Sequence, residues 1–135
     1  MPGKAFLDTS ALVYILNEGE DKSKIAAELL AVGGVLSVQV LNEFANVSRR
    51  KLGLTWRQTE EALANIRDLC APVAPISTET HSGALRIARR YGFHIYDSLI
   101  VASALETKCA ILYSEDLQHG QKIDSLTVQN PFLSS

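Results

Sequence analysis

Apolar residues arrive along this chain in short blocks, and most blocks stop at an acid, a glycine or a small hydroxyl. The first, Ala5 to Leu7, ends at Asp8, after which Thr9 and Ser10 lead into a second apolar run from Ala11 to Leu16. That order predicts a strand, an acid at its carboxyl end, and a helix. Residues 17–21, Asn-Glu-Gly-Glu-Asp, form a polar turn, and a helix is expected from Lys24 to Val32, closed by Gly33 and Gly34. Val35 to Val38 reads as a short strand. Beyond it Val40, Leu41, Phe44 and Val47 recur at the spacing of a core-facing helical stripe, with Glu43 beside the stripe near the helix start.

The second half continues the alternation. Thr55 is positioned to cap a helix beginning at Trp56, which is expected as a core or interface aromatic. Pro72 and Pro75 bracket an extended piece around Val73. Ser77 or Thr78 caps the next helix, which ends near Gly92. From Tyr96 to Glu106 the chain is a strongly apolar helix whose only first-turn acid is Asp97, with Ala102, Ser103 and Ala104 small enough for close packing. Ala110 to Tyr113 is a buried-strand candidate that runs into Ser-Glu-Asp at 114–116. Leu126 to Val128 is expected as an edge strand before Asn-Pro-Phe. Strands alternating with helices imply an α/β fold on a parallel sheet.

Composition narrows this only a little. The chain has 135 residues, 47% hydrophobic and 21% charged, which fits one domain without a linker, repeat or low-complexity segment. No apolar run approaches a bilayer-spanning length and the N-terminus has no signal-peptide pattern, so a cytoplasmic location is expected. Cys70 and Cys109 lack metal or redox spacing and read as buried thiols. His81 and His94 have no sequence partner and are assigned no catalytic role. The formal net charge is −2, so a nucleic-acid partner would need a local patch. Arg49, Arg50 and Lys51 make one cluster, and Arg86, Arg89 and Arg90 another; the plain alternative is that each is a solvated helix face.

Four acids then occupy comparable positions: Asp8 and Asp116 after strands, Glu43 and Asp97 in early turns of helices. In a parallel sheet those places share one edge, the edge where α/β proteins bind ligands. Carboxylates gathered there raise one another's pKa unless a cation intervenes, and their hard oxygens suit magnesium or manganese. Each acid also has a plainer reading. Asp8 and Asp97 would serve as helix caps, Glu43 would be solvated, and Asp116 would sit in an acidic turn with Glu115. Glu115 should point away from Asp116 by strand alternation, which ranks it second at that place.

Taken in order, FLDTSAL, LNEF, YDSLIVASA and LYSEDLQHG resemble the motifs of PIN-domain nucleases, and most closely the VapC-type toxins of bacterial toxin–antitoxin pairs. The likeness spans nearly the whole chain, including the terminal Asn-Pro-Phe. It implies a PIN-like α/β/α sandwich over residues 1–135, with a central, mainly parallel twisted sheet of four to five strands flanked by helices. It further implies an endoribonuclease using one or two Mg2+ or Mn2+ ions, a homodimer, and a small VapB-like, DNA-binding antitoxin. By position the family's acids fall on Asp8, Glu43, Asp97 and Asp116, and its supporting hydroxyls on Ser10 and Ser114. Ser-Glu-Asp stands where many relatives have Thr-x-Asp, which keeps both the hydroxyl and the acid.

Arg50, seven residues after Glu43 on the same helical face, is the first candidate to hold an RNA phosphate, and Arg86 and Arg90 are further candidates. Two other readings compete. One is a PIN-type module that binds RNA or a partner without cutting. The other is a receiver-type signalling domain, which would need an acidic pair after the first strand and a lysine after a later one; here one acid stands alone, and Lys108 precedes its strand.

Overall fold

The computed structural model describes residues 4–17 and 21–133, and its elements follow the alternation expected from the sequence. Strand β1 (Ala5–Leu7) leads into a short helix α1 (Thr9–Leu12) that tightens into a 3-10 turn at Val13–Leu16. Asn17 and Asp21 flank the expected polar turn, whose residues 18–20 lie outside the described residues. Helix α2 (Asp21–Val32) ends at Gly33, which adopts a left-handed φ of +85° and where a Cβ would come within 2.8 Å of the Leu69 carbonyl oxygen. Only glycine meets both conditions.

Strand β2 (Leu36–Ser37) passes at once into α3 (Val38–Arg50) because the Ser37 hydroxyl accepts the Val40 amide at 3.4 Å. Val38, read as strand, therefore opens the helix. A capping box of Thr55 and Gln58 starts α4 (Trp56–Leu69); after β3 (Val73–Ala74), a second box of Ser77 and Thr80 starts α5 (Thr78–Tyr91). His94 begins α6 (Ile95–Glu106), its Nδ1 accepting the Tyr96 amide at 3.2 Å. Strands β4 (Ile111–Tyr113), β5 (Lys122–Ile123) and β6 (Leu126–Gln129) complete the chain.

The main sheet has four strands in the order β1-β4-β6-β5, the first three parallel and β5 antiparallel to β6. Strands β2 and β3 form a separate parallel pair, tied to β1 by a bridge between Phe6 and Val35. One expectation is corrected: β6 is not an edge strand. The edge is taken by β5, whose two residues are too short and too polar at Lys122 to show in an apolar pattern.

Among the described residues six α-helices flank the sheet. Phe6, Leu7, Leu112 and Val128 from the strands meet Leu12, Val40, Phe44, Ile100 and Val101 from the helices in one core, all at most 1% exposed. Helix α6 is buried from Ser98 through Ala104, and its small residues let α5 pack closely against it. Cys70 and Cys109 are free and buried, as expected. Trp56 is not a core residue: it is 62% exposed, and the Arg49 guanidinium lies 4.5 Å from its ring centre. Among the described residues no helix is long and apolar enough to cross a membrane.

Candidate functional site

Parallel pairing of β1 with β4 sets Leu7 opposite Tyr113, so Asp8 and Ser114 leave the sheet side by side. Asp8 is only 3% exposed, and three donors hold it. Its Oδ1 accepts the Thr9 amide at 2.7 Å, the capping bond of α1, while Oδ2 accepts the Ser114 hydroxyl at 2.7 Å and the Ser10 hydroxyl at 3.0 Å. The cap reading and the site reading of Asp8 therefore describe the same geometry.

The two hydroxyls are oriented from behind. Ser10 Oγ accepts the Glu115 amide at 2.9 Å and Ser114 Oγ accepts the Asp116 amide at 3.1 Å. A hydroxyl that accepts a backbone N–H has its own proton free to donate forward, and here both protons go to Asp8. With three of a carboxylate's roughly four acceptor positions engaged, Asp8 keeps about one for anything else.

The other acids come from separate elements. Glu43 lies in α3 and its Oε2 accepts Gln39 Nε2 at 2.9 Å, one turn earlier on the same face. Asp97 sits in the first turn of α6, and Asp116 follows β4 by way of Ser114. Burial raises the pKa of all four, and their mutual repulsion adds to it: Asp8 is raised by Asp116 and Glu43, Glu43 by Asp97 and Asp116, and Asp116 by Asp97. Asp8 is pushed up to about 7, chiefly by burial, against the pull of Ser114. Lys51 pulls Asp116 in the opposite direction, and His94 does the same for Asp97.

Glu43 and Asp116 line a cleft of about 320 Å³, together with Ser10, Tyr14, Lys51 and Glu115; Asp8 and Asp97 are not part of that lining. All the acids offer hard oxygens, and three of the four, Asp8, Glu43 and Asp116, are raised by acidic neighbours as well as by burial; both features fit a divalent cation. Among the described residues no three acidic, histidine or cysteine side chains stand ready as a metal cage.

Glu115 behaves differently from its neighbour. Burial pushes its carboxyl up, but hydrogen bonds from Lys22 and Tyr14 outweigh that and bring it below the ordinary range. The side chain turns to Lys22 Nζ at 2.6 Å and Tyr14 Oη at 2.5 Å.

The basic residues separate into distinct places. Arg49 donates to the Leu54 carbonyl at 2.6 Å and stacks on Trp56. Arg50 is exposed in the last turn of α3 and outside the cleft lining, whereas Lys51 lines it. Arg86 and Arg90 line a different groove of about 340 Å³ between α5 and α6, and Arg90 Nη1 stands 3.7 Å from Asp124. Gln39, Tyr14 and Lys22 were not singled out in the sequence, and Lys51 was named only as a member of the cluster in which Arg50 was the first phosphate candidate. Gln39 lies four residues before Glu43 on the same helical face, so periodicity could have found it, whereas Lys51 caps the end of α3, where periodicity from Glu43 favours Arg50. The Lys22 to Glu115 pair spans the fold and leaves no sequence signal.

The PIN domain family model matches residues 5–122. No curated protein matches the sequence. Solved structures give the same fold. VapC20 of Mycobacterium tuberculosis, described as a sarcin–ricin loop cleaving toxin, superposes with a TM-score of 0.68 at 22% identity, over 83% of this chain and 89% of that one. A toxin–antitoxin complex from Klebsiella pneumoniae gives 0.70 at 20% identity, covering 95% and 98%. VapBC2 of Rickettsia felis, bound to a DNA fragment from its promoter, gives 0.66 at 22% identity, covering 93% and 96%. With the family model spanning most of its length, this chain belongs to the PIN domain family.

Proposed function

We propose that this protein is a divalent-metal-dependent endoribonuclease and the toxin of a toxin–antitoxin pair. What supports the reading most is the pairwise repulsion that links Asp8 to Asp116 and Glu43, Glu43 to Asp97 and Asp116, and Asp116 to Asp97, with the pKa of each acid raised. The likeness to a sarcin–ricin loop cleaving toxin and to toxin–antitoxin complexes supports it. On this reading residues 1–135 form one nuclease domain and work in the cytoplasm as a homodimer. A small VapB-like, DNA-binding antitoxin is the partner.

The four carboxylates would hold one or two Mg2+ or Mn2+ ions. Bound there, such an ion acidifies water and offsets charge on a phosphodiester. The chain's own groups do the rest. Ser10 and Ser114 fix Asp8 in one orientation and leave it about one open acceptor position. Gln39 fixes Glu43 in the same way. Lys51 places a positive charge beside Asp116, where a phosphate entering the cleft would meet it. Arg50, just outside the cleft, would follow the RNA backbone further along, and Arg86 and Arg90 remain candidates for more distant contacts.

Cleavage of total cellular RNA, with Mg2+ or Mn2+ and with chelator, tests this reading against Asp97→Asn and Asp8→Asn. Metal-dependent cuts at defined positions that both variants lose are expected. RNA binding without cleavage in the unaltered protein would favour the non-cutting module instead.

A further inference from the structure

Glu115 lies beside the acid cluster but is held by a separate set of residues. Its carboxylate takes the Lys22 ammonium on one oxygen at 2.6 Å and the Tyr14 hydroxyl on the other at 2.5 Å. Lys22 also donates to Tyr14 Oη at 3.2 Å and lies 4.8 Å from the Tyr14 ring centre and 5.5 Å from that of Phe132. The two rings meet edge to face at 4.9 Å and 70°. Phe132 is itself fixed: its amide donates to Asn130 Oδ1 at 2.9 Å, and the Asn130 amide donates to His119 Nδ1 at 3.0 Å. Tyr14 from the first helical segment and Lys22 from α2 thus meet on the carboxylate of the turn after β4, and Phe132 of the C-terminal segment backs both of them.

Both oxygens of Glu115 are taken by Lys22 and Tyr14, its charge still acts on Asp116, and its backbone amide reaches a hydroxyl that holds Asp8. The Glu115 amide orients the Ser10 hydroxyl, and the next amide, of Asp116, orients that of Ser114. We infer that Lys22, Tyr14 and Phe132 form a clasp on Glu115 that fixes the Ser114–Asp116 turn, and through it the hydroxyls that aim Asp8, in the arrangement that binds the metal.

Glu115 is then a positioning residue and not a ligand. The inference rests on the metal-dependent reading above, but the clasp can be tested without metal. Hydrogen exchange at the 114–116 amides in chelator reads the turn directly. Calorimetric Mn2+ titration of the RNA-free protein reads its consequence.

Lys22→Met and Glu115→Gln are each expected to speed exchange in the turn about tenfold while β4 stays protected. Each should weaken Mn2+ binding about tenfold. The double variant should be no worse than either alone, since both break one interaction, and Lys22→Arg should restore most of the affinity. If Glu115→Gln weakens Mn2+ binding and Lys22→Met does not, Glu115 is a ligand and the clasp is wrong. If exchange and Mn2+ affinity both stay unchanged while only the melting temperature falls, the cluster is structural and the inference fails. Faster exchange in a protein whose unaltered form binds no Mn2+ would leave a turn-fixing contact but overturn both its role in metal binding and the metal-dependent reading.

Discussion

The Ser114 hydroxyl lies 2.7 Å from Asp8 Oδ2 and is 0% exposed, so a residue at the end of β4 sets the state of an acid at the end of β1. Its hydrogen bond is the largest influence that lowers the pKa of Asp8 against burial. Ser114→Ala removes that donor and leaves a buried acceptor short of a partner, at a cost of about 1–3 kcal/mol in the ionised form. The variant should need higher pH for half-maximal Mn2+ binding. Calorimetry across pH 6 to 9 checks this, and an unchanged pH dependence would show that Ser114 does not govern Asp8.

The metal-free protein should lose stability as pH rises through neutrality. Asp8 ionises near pH 3.8 when unfolded and near 7 when folded, so between these values the folded state binds the extra proton. The contribution is therefore fully present below the unfolded value and lost as pH rises through the folded one, on the order of 4 kcal/mol for a shift of this size. Glu43, Asp97 and Asp116 are raised as well and act in the same direction. Melting temperatures in chelator should fall between pH 5 and pH 8. Asp8→Asn should flatten the slope, and a slope that survives it would place the buried proton elsewhere.

Lys51 and Arg50 are neighbours in sequence with different surroundings, the first lining the cleft beside Asp116 and the second exposed beyond it. Lys51→Glu should raise KM for RNA about tenfold and reduce the salt dependence of binding by about one phosphate contact. Arg50→Glu should do the same more weakly. The reverse ranking, measured by cleavage and by binding at two salt concentrations, would return the main phosphate contact to Arg50.

How much of this was legible before the structure depended on the range over which each signal acts. Asp8, Asp97 and Asp116 end apolar runs or open helices, and the parallel pairing that brings them together follows from alternating strand and helix patterns. Capping at Thr55 and Ser77 was readable for the same reason, because the donor and acceptor are three residues apart. The β5 edge was not readable: two residues with an exposed lysine carry no period. The core alternative for Trp56 fails because an aromatic beside a helix cap looks the same in sequence whether it faces the core or a stacked arginine. The surroundings of Glu115 depend on a partner 93 positions away, and no local pattern encodes such a pair.

Supplying and removing the cation should reverse the cost that the acids impose on the fold. Asp8, Glu43 and Asp116, each raised by acidic neighbours, store repulsion that a divalent ion relieves, so Mn2+ at about 100 times its dissociation constant should stabilise the protein by about 2.7 kcal/mol. The rise in melting temperature should be larger at pH 8 than at pH 6, where Asp8 holds a proton that the ion must displace. Asp8→Asn and Asp116→Asn should each reduce it, and Asp8→Asn alone should melt higher than the unaltered protein in chelator at pH 8. That last result would separate an acid retained for chemistry from one retained for folding, since a capping asparagine keeps the helix bond of Thr9 and removes the charge. It also puts an amide donor where Oδ2 accepted the Ser10 and Ser114 hydroxyls, so a higher melting temperature would come in spite of that lost pairing. A lower melting temperature for Asp8→Asn under those conditions would show that the carboxylate is needed by the fold itself.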